Sequence, residues 1–355
     1  MKKKIIKSAL WVLAFLFFAS WFYRIVVLML LARVWRDEIK GFRAWGYKVT
    51  MGVLLVAIFC VMPRYRYDTH DRIRLIYQDD KGNPECPPLI HYLVNVFLPE
   101  EEICNFGIWG ARLAPKSIPL AGWILEEFKH DDKKGNISNF YRPFRRLNQS
   151  GLFMMSGTTS QVCNMLGIDD TQSVYLIEPK HYDKDKEYPV VFFMHGFLGN
   201  WKLYTGLLKD LEDCIVLCVG TYTWSGIYTK SDISALFTKQ LPFLEDMGYK
   251  INRNNLHIIG LSNGGSAVNV AYNYFSSRFT TITFISTGIH QTYPIASKVL
   301  LVGGGKDRSS GTLCGAYRKL KSSGSKTELY WDVEETHFIL VNHADEIMEF
   351  LNKNI

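Results

Sequence analysis

A strand-like apolar run leads directly into a glycine-rich turn and then into a small-residue helix between residues 256 and 271. The run Leu256–Ile259 precedes the sequence GLSNGG (260–265), and Ser266–Ala271 follows it. GxSxG is common by chance, but between a strand and a helix it predicts a strained turn that points the serine hydroxyl out of a sheet. Side chains in place of Gly260 and Gly264 would collide with backbone there. The pattern therefore predicts a nucleophile at Ser262, with a helix N-terminus behind it that favours a developing negative charge.

Strand-like runs alternate with helix-like or loop segments from about residue 171 onward. Several runs are apolar at consecutive positions, as is typical of parallel strands buried on both faces. The alternation predicts an α/β fold, with a mostly parallel sheet covered by helices on both faces. The predicted strands are Ser173–Ile177, Pro189–Met194, Ile215–Val219, Leu256–Gly260, Thr281–Ile285, Lys298–Val302 and Thr327–Val333, and the chain ends in a predicted helix, Ile339–Asn352.

A second glycine-containing turn, HGFLGN (195–200), follows the predicted strand Pro189–Met194. Beside a nucleophile turn of this kind, one backbone N–H from such a loop and one from the residue after the nucleophile stabilise the oxyanion. We assign these donors to Phe197 and Asn263, with Gly196 in the turn. His195 is interpreted as a structural residue that fixes the loop. The alternative is an ordinary glycine-rich turn after a strand.

A serine hydroxyl requires a histidine to take its proton and a carboxylate to orient that histidine. With this nucleophile turn, the acid and then the histidine follow the serine along the chain. Asp307 comes just past the predicted strand Lys298–Val302, and His337 lies in the loop after the last strand. Ser262, Asp307 and His337 are therefore the predicted catalytic residues. Glu334 and Glu335 are alternative acids, although they are too close in sequence to His337 to orient it easily.

Other candidate sites fit less well. His343 falls within the predicted last helix, and His290 precedes the acid. The sequence GGGK (303–306) resembles part of a phosphate loop, but Leu300 occupies the first glycine position and Asp307 follows the lysine. No GxGxxG follows the early strands, and Cys214 and Cys218 suit positions in a buried strand better than a metal site. No cofactor and no metal are therefore predicted.

Four aromatic residues near the two turns are candidates for a substrate pocket. They could line an acyl pocket, and they could equally belong to the core: Trp201, Tyr222, Trp224 and Tyr228. Only twelve residues separate the strand Thr281–Ile285 from Lys298. This connection is too short for a helical cap, so the sequence predicts an open site unless residues 65–170 cover it.

The basic charge of the chain is confined to its N-terminal fifth. Residues 1–74 hold 14 basic and 4 acidic residues (net +10), which leaves −3 for the rest of a chain with a formal charge of +7. Such a distribution argues against a nucleic-acid partner, which requires basic charge on the folded body.

The same N-terminal region contains two apolar runs, residues 8–32 and 47–62. They predict one or two transmembrane helices, retained as an anchor instead of being cleaved as a signal peptide. Basic residues flank both runs, so the charges leave the side of the membrane open. The predicted organisation is a membrane anchor (1–64), a membrane-proximal region or N-terminal extension (65–170) and a catalytic domain (171–355).

Residues 171–355 resemble the α/β-hydrolase superfamily. The segments YPVVFFMHG (188–196) and GLSNGG (260–265) are similar to those of esterases that include feruloyl esterases and polyhydroxybutyrate depolymerases. The resemblance implies the α/β-hydrolase fold and cleavage of small-molecule or lipid esters through an acyl-enzyme on Ser262, Asp307 and His337. Peptidases, thioesterases and acyltransferases use the same triad. A non-catalytic interaction protein on the same fold is the remaining class.

Overall fold

The computed structural model describes ten stretches of the chain, which form two compact units. One unit contains the helices of residues 2–61, and the other contains a β-sheet and its helices. The described residues are 2–18, 21–35, 42–61, 72–86, 89–97, 100, 157–168, 171–197, 199–221 and 226–355.

The described part of the N-terminal unit contains the helices α1 (Lys2–Phe17), α2 (Trp21–Val34) and α3 (Phe42–Val61). The apolar run 8–32, interpreted from sequence as one helix, is divided between α1 and α2. Just past the end of α1, the Phe18 carbonyl accepts from Arg24 Nε of α2 at 2.8 Å. Trp35, just past the end of α2, lies beside the first half of α1, since its Nε1 donates to Ser8 Oγ at 2.8 Å.

Membrane crossing requires a helix that is both long and apolar. Among the helices of the described ranges, none combines these two properties to the degree that a bilayer demands.

The second unit is built on a mixed, mostly parallel sheet, which confirms the fold class predicted from the alternating pattern. Within the described residues, nine strands lie in the order β2-β1-β3-β5-β4-β6-β7-β8-β9. All neighbours from β5 to β9 pair in parallel, whereas β2, β1, β3 and β5 pair antiparallel. The strands are β1 (Ile73–Gln78), β2 (Pro84–Glu85), β3 (Gln172–Ile177), β4 (Tyr188–Met194), β5 (Ile215–Val219), β6 (Ile251–Leu261), β7 (Thr281–Ile285), β8 (Lys298–Gly304) and β9 (Thr327–Asp332).

Helices connect most of these strands. A π-helical turn (Leu236–Gln240) joins α7 to α8, and the predicted last helix is divided at His343 into α11 and α12. The helices are α4 (Leu89–Phe97), α5 (Thr158–Met165), α6 (Lys202–Leu208), α7 (Lys230–Ala235), α8 (Leu241–Asp246), α9 (Gly265–Tyr274), α10 (Leu313–Ser322), α11 (Ile339–Asn342) and α12 (Ala344–Asn352).

Both faces of the central strands are buried. Successive residues of a strand point to opposite faces, yet every residue of β5 and β7 is buried. On one face Phe192 lies in the main apolar core, and on the other Phe193 packs against Tyr204 of α6 with ring centroids 4.9 Å apart. This two-sided burial explains the continuous apolar runs in the sequence.

The sheet determines where the polar turns meet. Parallel strands end at the same edge, and ligand sites of open α/β sheets lie at the carboxyl ends of their strands. The turns that carry His195, Ser262, Asp307 and His337 follow β4, β6, β8 and β9 at that edge. β1 comes from the segment 65–170, and it extends the sheet by pairing with β3.

Candidate active site

Ser262 occupies a strained turn at the carboxyl end of β6. Its φ angle is +54°, a left-handed conformation that a non-glycine residue rarely adopts. A single 3₁₀ turn, Ser262–Gly264, connects β6 to α9. The N-terminus of α9 therefore lies beside the serine, where its dipole favours negative charge. Strain of this kind is typical of functional residues that the surrounding structure holds in place.

Two glycines make this turn sterically feasible, as the sequence motif predicts. A Cβ on Gly260 would lie 2.4 Å from the Gly264 carbonyl oxygen, and a Cβ on Gly264 would lie 2.1 Å from the Met194 carbonyl oxygen. Both distances are far below van der Waals contact, and in both cases the obstacle is backbone. The turn between β6 and α9 can therefore pack against the end of β4 only with glycine at these positions.

The structure brings the three predicted catalytic side chains into one hydrogen-bonded chain. His337 Nε2 lies 2.8 Å from Ser262 Oγ, and His337 Nδ1 lies 3.1 Å from Asp307 Oδ1. The His337 side chain is 8% exposed and the Asp307 side chain 2% exposed, whereas Ser262 remains partly exposed. A histidine that donates from Nδ1 to a carboxylate has Nε2 available to accept the serine proton.

Hydrogen bonds hold the Asp307 carboxylate in its ionised form. Its Oδ1 accepts from the Ser309 N–H at 2.9 Å, and its Oδ2 accepts from the Ser310 hydroxyl at 2.5 Å. Burial by itself raises the pKa of Asp307, but the interaction with His337 and the bonds from Ser310 and Ser309 outweigh burial and hold that pKa below its usual value. A charged carboxylate therefore faces the imidazole at neutral pH.

The loop after β4 passes directly beside the nucleophile. A Cβ on Gly196 would lie 3.1 Å from Ser262 Cβ, so the backbone of the two turns is in close contact. Phe197 and Asn263, the two predicted oxyanion donors, each follow one of these contacting residues along the chain. Their role as oxyanion donors stays a prediction.

His195 is fully buried and fixes this loop from inside. Its Nε2 accepts from the Thr221 N–H at 3.1 Å, so Nδ1 carries the proton and donates to the Gly196 carbonyl at 2.7 Å. Burial lowers the pKa of His195 to about 4, which keeps the imidazole neutral at neutral pH. The neutral ring joins the ends of β4 and β5 without adding a charge beneath the site.

Two of the predicted pocket residues support the same loop. The Tyr228 hydroxyl accepts from the His195 N–H at 3.0 Å and donates to the Val219 carbonyl at 2.7 Å, and the side chain belongs to the buried core. Trp201 Nε1 donates to the Phe197 carbonyl at 3.3 Å. For Tyr228 the structure favours the core alternative left open by the sequence. Tyr222 and Trp224 lie outside the described residues.

Two of the rival residues, Glu335 and His343, form a separate cluster with Asp332. Glu335 is buried, and its carboxylate accepts from Asn342 Nδ2 at 2.8 Å and contacts His343 Nε2 at 3.0 Å. Asp332 brings a third ligand-type atom to this group, all within 4.8 Å of one another. Because the Glu335 carboxylate already has these two partners, hydrogen bonding accounts for the close grouping of Asp332, Glu335 and His343. Glu334 instead pairs with Lys306 at 2.8 Å.

Sequence reasoning missed the serines that hold the acid and the base. Ser310 binds Asp307, and Ser286 Oγ donates to the His337 carbonyl at 2.9 Å. The local pattern DRSS (307–310) could have indicated Ser309 and Ser310, since aspartate side chains often bind the backbone two residues on. Nothing local identifies Ser286, because its partner lies 51 residues away.

Comparisons with known proteins gave matches among solved structures only. No protein-family model and no curated protein matches the chain. A thermostable esterase is 18% identical over 52% of this chain and 59% of its own, with a TM-score of 0.41. A CE1 ferulic acid esterase from Anaeromyces mucronatus is 17% identical over 52% and 85%, with a TM-score of 0.40. An acylaminoacyl peptidase from Pyrococcus horikoshii is 15% identical over 53% and 40%, with a TM-score of 0.41.

Proposed function

We propose that this chain is a serine hydrolase that cleaves carboxylic esters of small molecules or lipids through an acyl-enzyme. The observation that carries the proposal is the chain of contacts from Ser262 Oγ to His337 Nε2 and from His337 Nδ1 to Asp307, at 2.8 and 3.1 Å. The backbone of Ser262 is also strained, and strain of this kind clusters at functional sites. Both observations together favour a catalytic role over a chance arrangement of three polar groups.

The proposed reaction follows from the role that each atom can take. Ser262 Oγ attacks the ester carbonyl carbon while its proton passes to His337 Nε2, and Asp307 stabilises the imidazolium that forms. The N–H groups of Phe197 and Asn263 receive the negative oxygen of the tetrahedral intermediate. When the intermediate collapses, His337 returns the proton to the departing alcohol. Water, activated by the same imidazole, then attacks the acyl-enzyme and releases the acid.

A fluorophosphonate probe tests the nucleophile. Ser262 Oγ should displace fluoride from phosphorus, so the wild-type protein becomes labelled and Ser262→Ala does not. Ser297→Ala, which removes a buried hydroxyl at the amino end of β8, should label like the wild type. A well-folded wild-type protein that remains unlabelled, or a labelled Ser262→Ala variant, contradicts the proposal.

Hydrolysis of p-nitrophenyl esters tests the bond type on the same variants. Removal of the nucleophile of a triad lowers kcat by about 10⁶-fold. We therefore expect Ser262→Ala to fall to background, with Ser297→Ala near the wild-type rate. Turnover of peptide or thioester substrates without any turnover of esters, at any acyl-chain length, contradicts the ester assignment while leaving the nucleophile intact.

We further propose that the N-terminal unit attaches the chain to a membrane. Large apolar side chains of α1 are exposed, and the lysines Lys3, Lys4 and Lys7 lie on the same helix. Apolar surface together with basic charge favours binding to anionic bilayers. The exposed apolar residues of α1 are Ile5, Ile6, Leu10, Val12, Leu13 and Leu16.

Vesicle flotation with the full chain tests this attachment. The wild-type protein should float with vesicles that contain phosphatidylserine, and Leu10→Asp together with Leu13→Asp should lower the bound fraction about tenfold or more, since each buried leucine contributes about 1.5–3 kcal/mol. Ile168→Asp, at an exposed apolar residue of the sheet unit, is the control. Wild-type protein that stays at the bottom of the gradient overturns the attachment.

A further inference from the structure

The general base sits in a short irregular loop that needs support from outside. His337 lies between the end of β9 at Asp332 and the start of α11 at Ile339. No strand or helix ladder fixes the backbone of this loop, yet its imidazole must stay within hydrogen-bond distance of Ser262. Misplacement of a catalytic group by about 1 Å can cost about 100-fold in rate. The contacts that hold His337 are therefore candidates for a role in catalysis.

Ser286 makes such a contact with His337 itself. Its hydroxyl donates to the His337 carbonyl at 2.9 Å, and its N–H donates to the Val302 carbonyl at 2.9 Å, so its backbone is fixed to β8. The residue is fully buried. The hydrogen bond joins residues 51 positions apart and ties the end of β7 to the loop after β9.

Ser286 adopts the same unusual backbone as the nucleophile, at the matching position of the next strand. Leu261 of β6 pairs with Ile285 of β7, so Ser262 and Ser286 are the first residues beyond two neighbouring strand ends. Their φ angles are +54° and +49°. The Ser262 hydroxyl lies within hydrogen-bond distance of the His337 imidazole, and the Ser286 hydroxyl donates to the His337 backbone carbonyl. A non-glycine residue kept in this conformation at a buried site points to a functional reason for its side chain.

The other side of the loop has an independent support. The Glu335 carbonyl accepts from the Lys306 N–H at 2.9 Å, which joins the loop to the turn that carries Asp307. Its carboxylate binds Asn342 and His343 on the following segment. The loop is therefore expected to remain folded when the Ser286 hydroxyl is removed, with less restraint on the backbone of His337.

We propose that Ser286 is a positioning residue for the general base: its hydroxyl fixes the His337 backbone so that Nε2 stays aligned with Ser262 Oγ. The proposal rests on the proposed function, because it assumes that His337 takes the Ser262 proton. Ser286 itself contacts neither the substrate nor a reacting atom.

A matched pair of serine substitutions separates positioning from simple stabilisation. Ser286→Ala and Ser297→Ala each remove a buried hydroxyl that donates to a backbone carbonyl, that of His337 in the first case and Ser276 in the second. Both should lower Tm by a few degrees, as loss of one hydrogen bond does. Only Ser286→Ala should also lower kcat and the rate of fluorophosphonate labelling, by about 10- to 100-fold, with KM little changed.

Ser286→Gly is the second variant, and it keeps the test decisive if Ser286→Ala folds poorly. Glycine adopts positive φ without strain, but it also lacks the hydroxyl. Its kcat should fall as far as that of Ser286→Ala, whatever the difference in their Tm values. Wild-type kcat in either Ser286 variant, or an equal loss in Ser297→Ala, overturns the proposal. Failure of the wild-type protein to label at Ser262 is a different result, which defeats the proposed function itself.

Discussion

Replacement of Asp307 by alanine is expected to lower kcat about 10,000-fold, with a much smaller change in KM. The carboxylate accepts from His337 Nδ1 at 3.1 Å, and its pKa is held below the usual range. Without it, nothing selects the tautomer in which Nε2 accepts the Ser262 proton, and nothing balances the imidazolium. Loss of the acid from a serine triad typically costs this much. Steady-state hydrolysis of a p-nitrophenyl ester at constant pH measures the effect.

Comparison with Asp307→Asn makes the test specific to this structure. The Ser309 N–H points at Oδ1, so it should hold the amide oxygen of asparagine opposite His337 Nδ1 and place the NH₂ group against the Ser310 oxygen. The tautomer is then preserved and only the charge is lost. We expect Asp307→Asn to retain more activity than Asp307→Ala, and Ser310→Ala, which keeps the carboxylate, to retain more than both. The reverse order contradicts this reading of the site.

Short patterns were enough to predict seven of the nine strands that the structure describes and the turns that carry Ser262, Asp307 and His337. Two predicted strands, Ile215–Val219 and Thr281–Ile285, have the same bounds in the structure, because continuous apolar runs between polar segments mark strands buried on both faces. Three residues were indicated by the GxSxG motif, by their positions at strand ends and by their order along the chain. The structure brings these residues, Ser262, Asp307 and His337, within hydrogen-bond distance. All of this information is local, so a single sequence contains it.

Features that depend on contacts distant in sequence could not be predicted in this way. β6 begins at Ile251, five residues before its apolar part. Sequence reasoning missed this start because the mostly polar segment 251–255 shows no strand alternation. Trp201 and Tyr228 were read as aromatic candidates for a pocket or the core, but their roles depend on Phe197, His195 and Val219 across the turns.

Gly264→Ala is expected to destabilise the fold severely, by about 4–5 kcal/mol or more, which is the range reached only by exceptional substitutions. The added Cβ would lie 2.1 Å from the Met194 carbonyl oxygen and 2.8 Å from that of His195. Neither obstacle is a flexible side chain. The turn after β6 and the loop after β4 would have to separate, and that movement would also disturb the contact between Gly196 and Ser262.

Gly315→Ala provides the matched control for this prediction, because it introduces the same methyl group in open space. Gly315 is exposed within α10, with nothing within 4 Å of its built Cβ, and glycine in a helix interior costs about 0.5–1 kcal/mol relative to alanine. Gly315→Ala should therefore raise Tm slightly, whereas Gly264→Ala should lower it by about 10–20 °C or prevent recovery of folded protein. Thermal unfolding followed by circular dichroism measures both changes. A Gly264→Ala protein with wild-type Tm would show that the backbone contact between the two turns does not hold the nucleophile in place.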